Sequence, residues 1–141
     1  MVQLAADALA ALPTDEIPGP LRALARFTPA RRARHGASAL AAALATDPVF
    51  RESVAARVTE TAGPLGEAVA TGVPPAAADP VEVAALAYLL RPVGWGELVE
   101  TAAGRVRDEV ARAERAARRA ETDRLAEQLD RLRTQARGDV D

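Results

Sequence analysis

The sequence predicts an all-α protein: a compact bundle of four to five short helices followed by one long coiled-coil-like helix. Three observations carry this reading. Alanine, the strongest helix former, supplies 35 of 141 residues, and β-branched and aromatic residues are scarce outside the apolar stripes. A capping residue stands directly before proline three times, at Thr28-Pro29, Asp47-Pro48 and Asp79-Pro80. No proline follows Pro92, so nothing after it breaks a helix by removing an N–H donor.

Residues 2–11 read as a weak Ala-rich helix closed before Pro13, with 1–12 set apart from a compact helical domain over 13–94. A loop containing Pro13, Pro18 and Pro20 leads to a short helix over about 21–27. At each Thr/Asp-Pro pair the side-chain oxygen can accept an orphan N–H, and proline suits the first helical position because its absent N–H would be unpaired there. The helix from Pro29 runs to about Ala45, with Ala33, Ala37, Leu40 and Leu44 on one face and Gly36 as a bend. The helix from Pro48 stacks Phe50, Val54 and Val58, ends near Gly63, and leaves 64–71 for one or two further turns. Asp79, with Glu82 three residues on, forms a capping-box pattern. It opens a helix over 80–91 that buries Val83, Leu86, Ala87 and Leu90 before Pro92 stops it.

From Trp95 to about Arg137 the pattern is one long charged helix, with 138–141 as a disordered tail. Val99, Ala103, Val106, Val110, Ala113 and Ala117 alternate steps of four and three. Leu125, Leu129, Leu132 and Ala136 resume that pattern in a shifted phase, which reads as a stutter or as a break into two helices. Asp108–Arg112, Glu114–Arg118 and Glu127–Arg131 are acid-first i,i+4 pairs, as expected of a solvent-exposed helix. Their leucine-bearing end lies about 60 Å along the axis from its start. It therefore requires a partner helix, and Leu125, Leu129 and Leu132 are the expected interface of a homo-oligomer.

Composition narrows the chemistry. All 18 basic residues are arginine, lysine and asparagine are absent, and the net charge is −2. GC-rich coding produces this same bias, so arginine content alone is no sign of nucleic-acid binding. The chain contains no cysteine, which excludes a disulfide framework, a thiolate nucleophile and a Cys-based zinc site. Met1 to Leu12 has no basic n-region and is interrupted by Asp7, so it is not a signal peptide, and no run approaches the ~18 apolar residues of a membrane span. A cytoplasmic protein without membrane contact is the expectation.

Charge departs from its surroundings only over residues 17–46, which hold Arg22, Arg26, Arg31, Arg32 and Arg34 and no acid. His35, the single histidine, adds a sixth donor. Two readings stand: a docking site for RNA phosphate or an acidic protein surface, and a solvated basic face balanced by acidic helices elsewhere. A lone histidine defines neither a zinc site nor a triad. The glycines have no phosphate-loop spacing, and no GxSxG or HExxH motif is present. No catalytic residue, metal site, cofactor or small-molecule substrate is expected. Phe27, Phe50, Tyr88 and Trp95 read as core aromatics before stacking platforms.

Three stretches carry a family resemblance: ARFTPARRAR (25–34), ATDPVFRESVAARV (45–58) and PPAAADPVEVAALAYLLRPVGW (74–95), the last running into WGELVE and the charged helix. Over roughly residues 12–137 the chain resembles the N-terminal helical and coiled-coil region of actinobacterial NYN-domain (YacP-like) RNA-binding proteins. There a helical domain and a coiled-coil connector precede a PIN-like α/β nuclease domain. The acidic metal-binding residues of that domain have no counterpart in this sequence. The resemblance therefore implies a non-catalytic accessory and oligomerisation module of RNA metabolism, with RNA or the ribosome as possible partner. A dimeric helical scaffold that binds protein only is the alternative.

Overall fold

Each of the three cap–proline pairs opens a helix. Thr28 accepts from the N–H of Arg31 at 3.4 Å, Asp47 from that of Phe50 at 3.0 Å, and Asp79 from that of Val81 at 2.9 Å. Each such cap is worth about 1 kcal/mol. The computed structural model describes residues 1–140, and among them it has α-helices, 3₁₀ segments and no strand. The order is α1 (Val2–Leu9), 3₁₀ segments Thr14–Glu16 and Gly19–Arg26, α2 (Pro29–His35), α3 (Ala37–Thr46), α4 (Pro48–Ala70), α5 (Pro80–Leu90) and α6 (Trp95–Gly138). The chain divides into two units, one spanning Met1–Ala103 and one from Gly104 onward.

The first unit is built around α1. The sequence sets residues 1–12 apart from the domain, but α1 packs on α2, α3 and α4, and Ala5, Ala6 and Leu9 are completely buried. The small alanine side chains let neighbouring helices approach closely, which compensates for the little area each buries at about 25 cal/mol per Å². Leu21, Leu40, Leu44, Phe50, Val54, Val58, Val69, Val83, Leu86 and Leu89 complete the core. The stripe Phe50, Val54 and Val58 is as expected, whereas on α5 Leu89 is buried and Leu90 only partly so.

The helix expected from Pro29 to Ala45 is two helices. Gly36 sits between them at φ −105° and ψ 7°, and a Cβ there would stand 2.4 Å from Leu24 Cδ1 and 2.8 Å from the Arg32 carbonyl. Leu24 fills the space beside Gly36, so a residue with a Cβ would need it to move. In α4 the interruption falls where the sequence puts it: Gly63 takes φ 58° and ψ −141°, and Pro64 follows.

Helix ends in this unit are closed by arginine. Arg32, only 4% exposed, donates from Nε to the Phe27 carbonyl at 2.7 Å and from a terminal nitrogen to the Ala6 carbonyl. Ala6 lies in the last turn of α1, where carbonyls lack intrahelical donors. Arg57 reaches the Ala11 carbonyl at 2.9 Å, and Arg51 the Leu44 carbonyl near the end of α3, also at 2.9 Å. A guanidinium at these positions also meets the negative end of the helix dipole. No buried side-chain nitrogen or oxygen among the described residues lacks a partner.

α5 ends at Arg91, where Pro92 disfavours a continued right-handed helix and the backbone takes the left-handed conformation (φ 46°, ψ 54°). The Arg91 guanidinium stands 5.0 Å from the Tyr88 ring centroid and 4.5 Å from that of Trp95. The two rings meet edge-on at 5.9 Å. Gly94, at φ 78°, completes a turn closed by the Trp95 N–H on the Pro92 carbonyl at 2.9 Å. The first residues of α6 belong to this unit: Ala102 is buried, and Leu98 and Val99 pack on the core. The expected inner face ends early, because Val110 is 52% exposed and Ala113 and Ala117 are exposed.

The second unit is the rest of α6, one unbroken helix to Gly138, so the stutter stands and the break does not. Every side chain from Arg112 to Val140 is exposed. Ion pairs run along it: Glu114–Arg118 at 3.6 Å, Glu121–Arg124 at 3.1 Å, Glu127–Arg131 at 3.6 Å and Asp130–Arg133 at 3.5 Å. Each such exposed pair contributes roughly 0.3–0.5 kcal/mol. Of the tail expected to be disordered, Gly138 is helical and Asp139 and Val140 form a turn; Asp141 lies outside the described residues.

Two substitutions test these contacts. Arg32→Ala leaves two backbone carbonyls without their charged donor and should lower the stability from urea unfolding by about 3 kcal/mol, against about 0.5 kcal/mol for exposed Arg34→Ala. Equal midpoints would contradict the structural role of Arg32. Arg91→Ala keeps the strained backbone and loses both ring contacts, a loss of about 1–2 kcal/mol. Arg91→Gly relieves about 1 kcal/mol of that strain and should fall closer to wild type; Ala and Gly variants of equal stability would remove strain from the account.

Candidate functional site

The five arginines of the basic stretch separate once the chain is folded. Arg22, Arg26, Arg31 and Arg34 are exposed. Arg32 is not: it is the buried arginine that binds the Ala6 and Phe27 carbonyls, so it is out of reach of a phosphate and leaves the expected surface set. The reason is positional. Arg32, Gly36, Leu40 and Leu44 recur every four residues, and all four are buried. The inward face thus runs through Arg32, with Ala33 and Ala37 at its half-buried edge. That spacing was present in the sequence, hidden because an arginine heads the row. Arg22 is partly committed as well, its Nε donating to the Ile17 carbonyl at 3.3 Å.

What the fold does assemble is a stack on the outer side of α2. Residues 27, 31 and 35 succeed one another at four-residue spacing. The Arg31 guanidinium stands 5.1 Å from the Phe27 ring centroid, and the His35 ring lies 6.2 Å from that ring at 49°. Phe27, expected in the core, is half-buried. A guanidinium that meets a ring face and no carbonyl still has N–H donors for an anionic oxygen. Arg34 is exposed on the same helix. Of the other aromatics, Phe50 is in the core as expected, while Tyr88 and Trp95 are half-buried and held by Arg91.

The second candidate surface is on the far part of α6. Leu125, Leu129 and Leu132 are 51%, 53% and 61% exposed, spaced by four and three residues. An isolated helix in water gains little from such a row, because amphipathic helices draw most of their stability from packing. Adjoining grooves between α1, α4 and α5, lined by Leu4, Val58, Ala62, Leu65 and Leu86, carry Asp7, Glu60 and Glu82 at their edges without a shared focus. Among the described residues no group of three or more His, Cys, Asp or Glu is placed to hold a metal ion. None of their helices is long and apolar enough to cross a membrane.

Comparison with known proteins returns no match: no family model, curated protein or solved structure is significantly similar to this chain.

Proposed function

We propose that this chain is a non-catalytic helical accessory module whose main task is self-association through the far half of α6. The observation behind it is the run of exposed side chains from Arg112 to Val140, with three leucines on one stripe more than half exposed. Its charges are balanced along the helix by i,i+3 and i,i+4 pairs, so a like-charged copy meets little repulsion. Assignment to cytoplasmic RNA metabolism, as an accessory to a NYN/PIN-like nuclease domain, rests on the resemblance of residues 25–34, 45–58 and 74–95.

A second role, docking RNA or the ribosome, is supported by the stack of Phe27, Arg31 and His35 and by the four exposed arginines of the basic stretch. Arg31 is its centre, because its guanidinium stands over the Phe27 ring, with exposed Arg34 on the same helix. The alternative, a dimeric scaffold that binds only protein, differs in salt dependence. Phosphate neutralisation by Z cations gives a log–log slope of about −0.7Z on single strands. A purely apolar helix pairing has no such slope.

Two measurements test this reading. Sedimentation should show the wild type as a dimer at tens of micromolar and Leu129→Asp as a monomer of unchanged helicity; a monomeric wild type would end the self-association role. Anisotropy of a short labelled RNA should show salt-sensitive binding that the double substitution Arg31→Glu, Arg34→Glu abolishes. Equal affinity in wild type and double variant, or no binding at low salt, would leave the protein-only scaffold.

A further inference from the structure

We infer that the leucine stripe of α6 is seated, in the associated protein, in the groove between α1, α4 and α5 of a second copy of this chain. This rests on the self-association reading above and adds the surface that the stripe meets. Leu125, Leu129 and Leu132, with Ala136, are too short a row to hold two helices against each other alone. Followed back at steps of three and four, the row passes Thr122 and reaches Arg118 and Arg115, so its apolar part is short. It spans about two heptads, where a sustained coiled coil takes at least about three. A stable interface takes roughly twenty residues a side.

A groove covers each leucine from more than one side. Val58 and Leu86 are its buried floor, and Leu4, Ala62 and Leu65 are half-buried along it. It follows α4 from Arg57 to Leu65, roughly 10 Å, and Leu125 to Leu132 on α6 span roughly the same length. Anchors at i, i+4 and i+7 are a spacing with which an amphipathic helix enters an apolar groove.

The charges fit as well. Asp7, Glu60 and Glu82 stand exposed at the edges of the groove. Arg57, the cation lining it, is committed to the Ala11 carbonyl at 2.9 Å and to Glu60 at 3.5 Å. On α6, at about 100° per residue, Arg133 and Arg137 lie on one side of the stripe and Gln128 and Gln135 on the other. Glu127 and Asp130 lie further round. Arg133 meets Asp130 at 3.5 Å but its side chain stays 70% exposed, with donors open to a second carboxylate. A basic and neutral edge thus meets an acidic rim, whereas two grooves face to face would set acid against acid. The contact joins unlike surfaces, and two of them made reciprocally close a dimer.

Thr61 gives the test, because it lines both parts of the groove and is itself exposed. Thr61→Arg blocks the mouth, adds positive charge to the rim and leaves the core untouched. Sedimentation should show it dissociating at least about tenfold more readily than wild type, with helicity and thermal midpoint unchanged. Mixing it with Leu129→Asp should then restore a heterodimer, since one copy brings an intact stripe and the other an intact groove. A wild-type dimer that Thr61→Arg leaves unchanged places α6 against α6, which overturns the inference and leaves self-association standing. Weakening in both variants with no recovery on mixing overturns it equally. A wild-type monomer removes both.

Discussion

The bundle is held at its centre by a polar contact inside an apolar core. Arg32 sends one donor to the carbonyl that ends the preceding 3₁₀ segment and another to the last turn of α1. Removing a guanidinium from water costs several kcal/mol unless it finds acceptors, and here two of its donors meet carbonyls, one of which lies in a helix end that itself needs partners. Each side satisfies the other. The exchange fixes α2 against α1, and α1 in turn supplies the alanine surface on which α3 and α4 pack. In a core this rich in alanine, area alone constrains the helices weakly, and a directional bond sets how they lie.

The same device recurs. Arg51 and Arg57 close carbonyls at the ends of other segments, and Arg91 donates to the Tyr88 carbonyl at 3.2 Å. Helix starts are served by Thr and Asp before proline, and helix ends by arginine. This division of labour bears on function, because an arginine bound to a carbonyl is not available to an anion. The basic stretch therefore presents four exposed arginines and not five, with Arg31 over the ring of Phe27.

The two candidate surfaces obey different physics. The stack on α2 offers charge-assisted hydrogen bonds that salt weakens. The leucine stripe on α6 offers an apolar contact that salt leaves intact.

The sequence by itself determined the all-α class, the three capped helix starts, the interruption near Gly63 and the long helix after Trp95. All follow from interactions within four residues: a side-chain oxygen on a nearby N–H, a ring that lacks a donor, an uninterrupted run of helix formers. Leu125, Leu129 and Leu132 were legible for the same reason, since their stripe depends only on the helical period. Tertiary structure alone decided that α1 is central, that Gly36 divides two helices, and that Arg32 is internal while Arg31 and Arg34 face outward. Those outcomes turn on contacts with residues distant in sequence or across a turn, with Leu24 filling the space beside Gly36 and the Ala6 carbonyl waiting for a donor twenty-six residues on. An arginine beside an alanine stripe is read as solvent-facing until the fold brings an unpaired carbonyl within its reach.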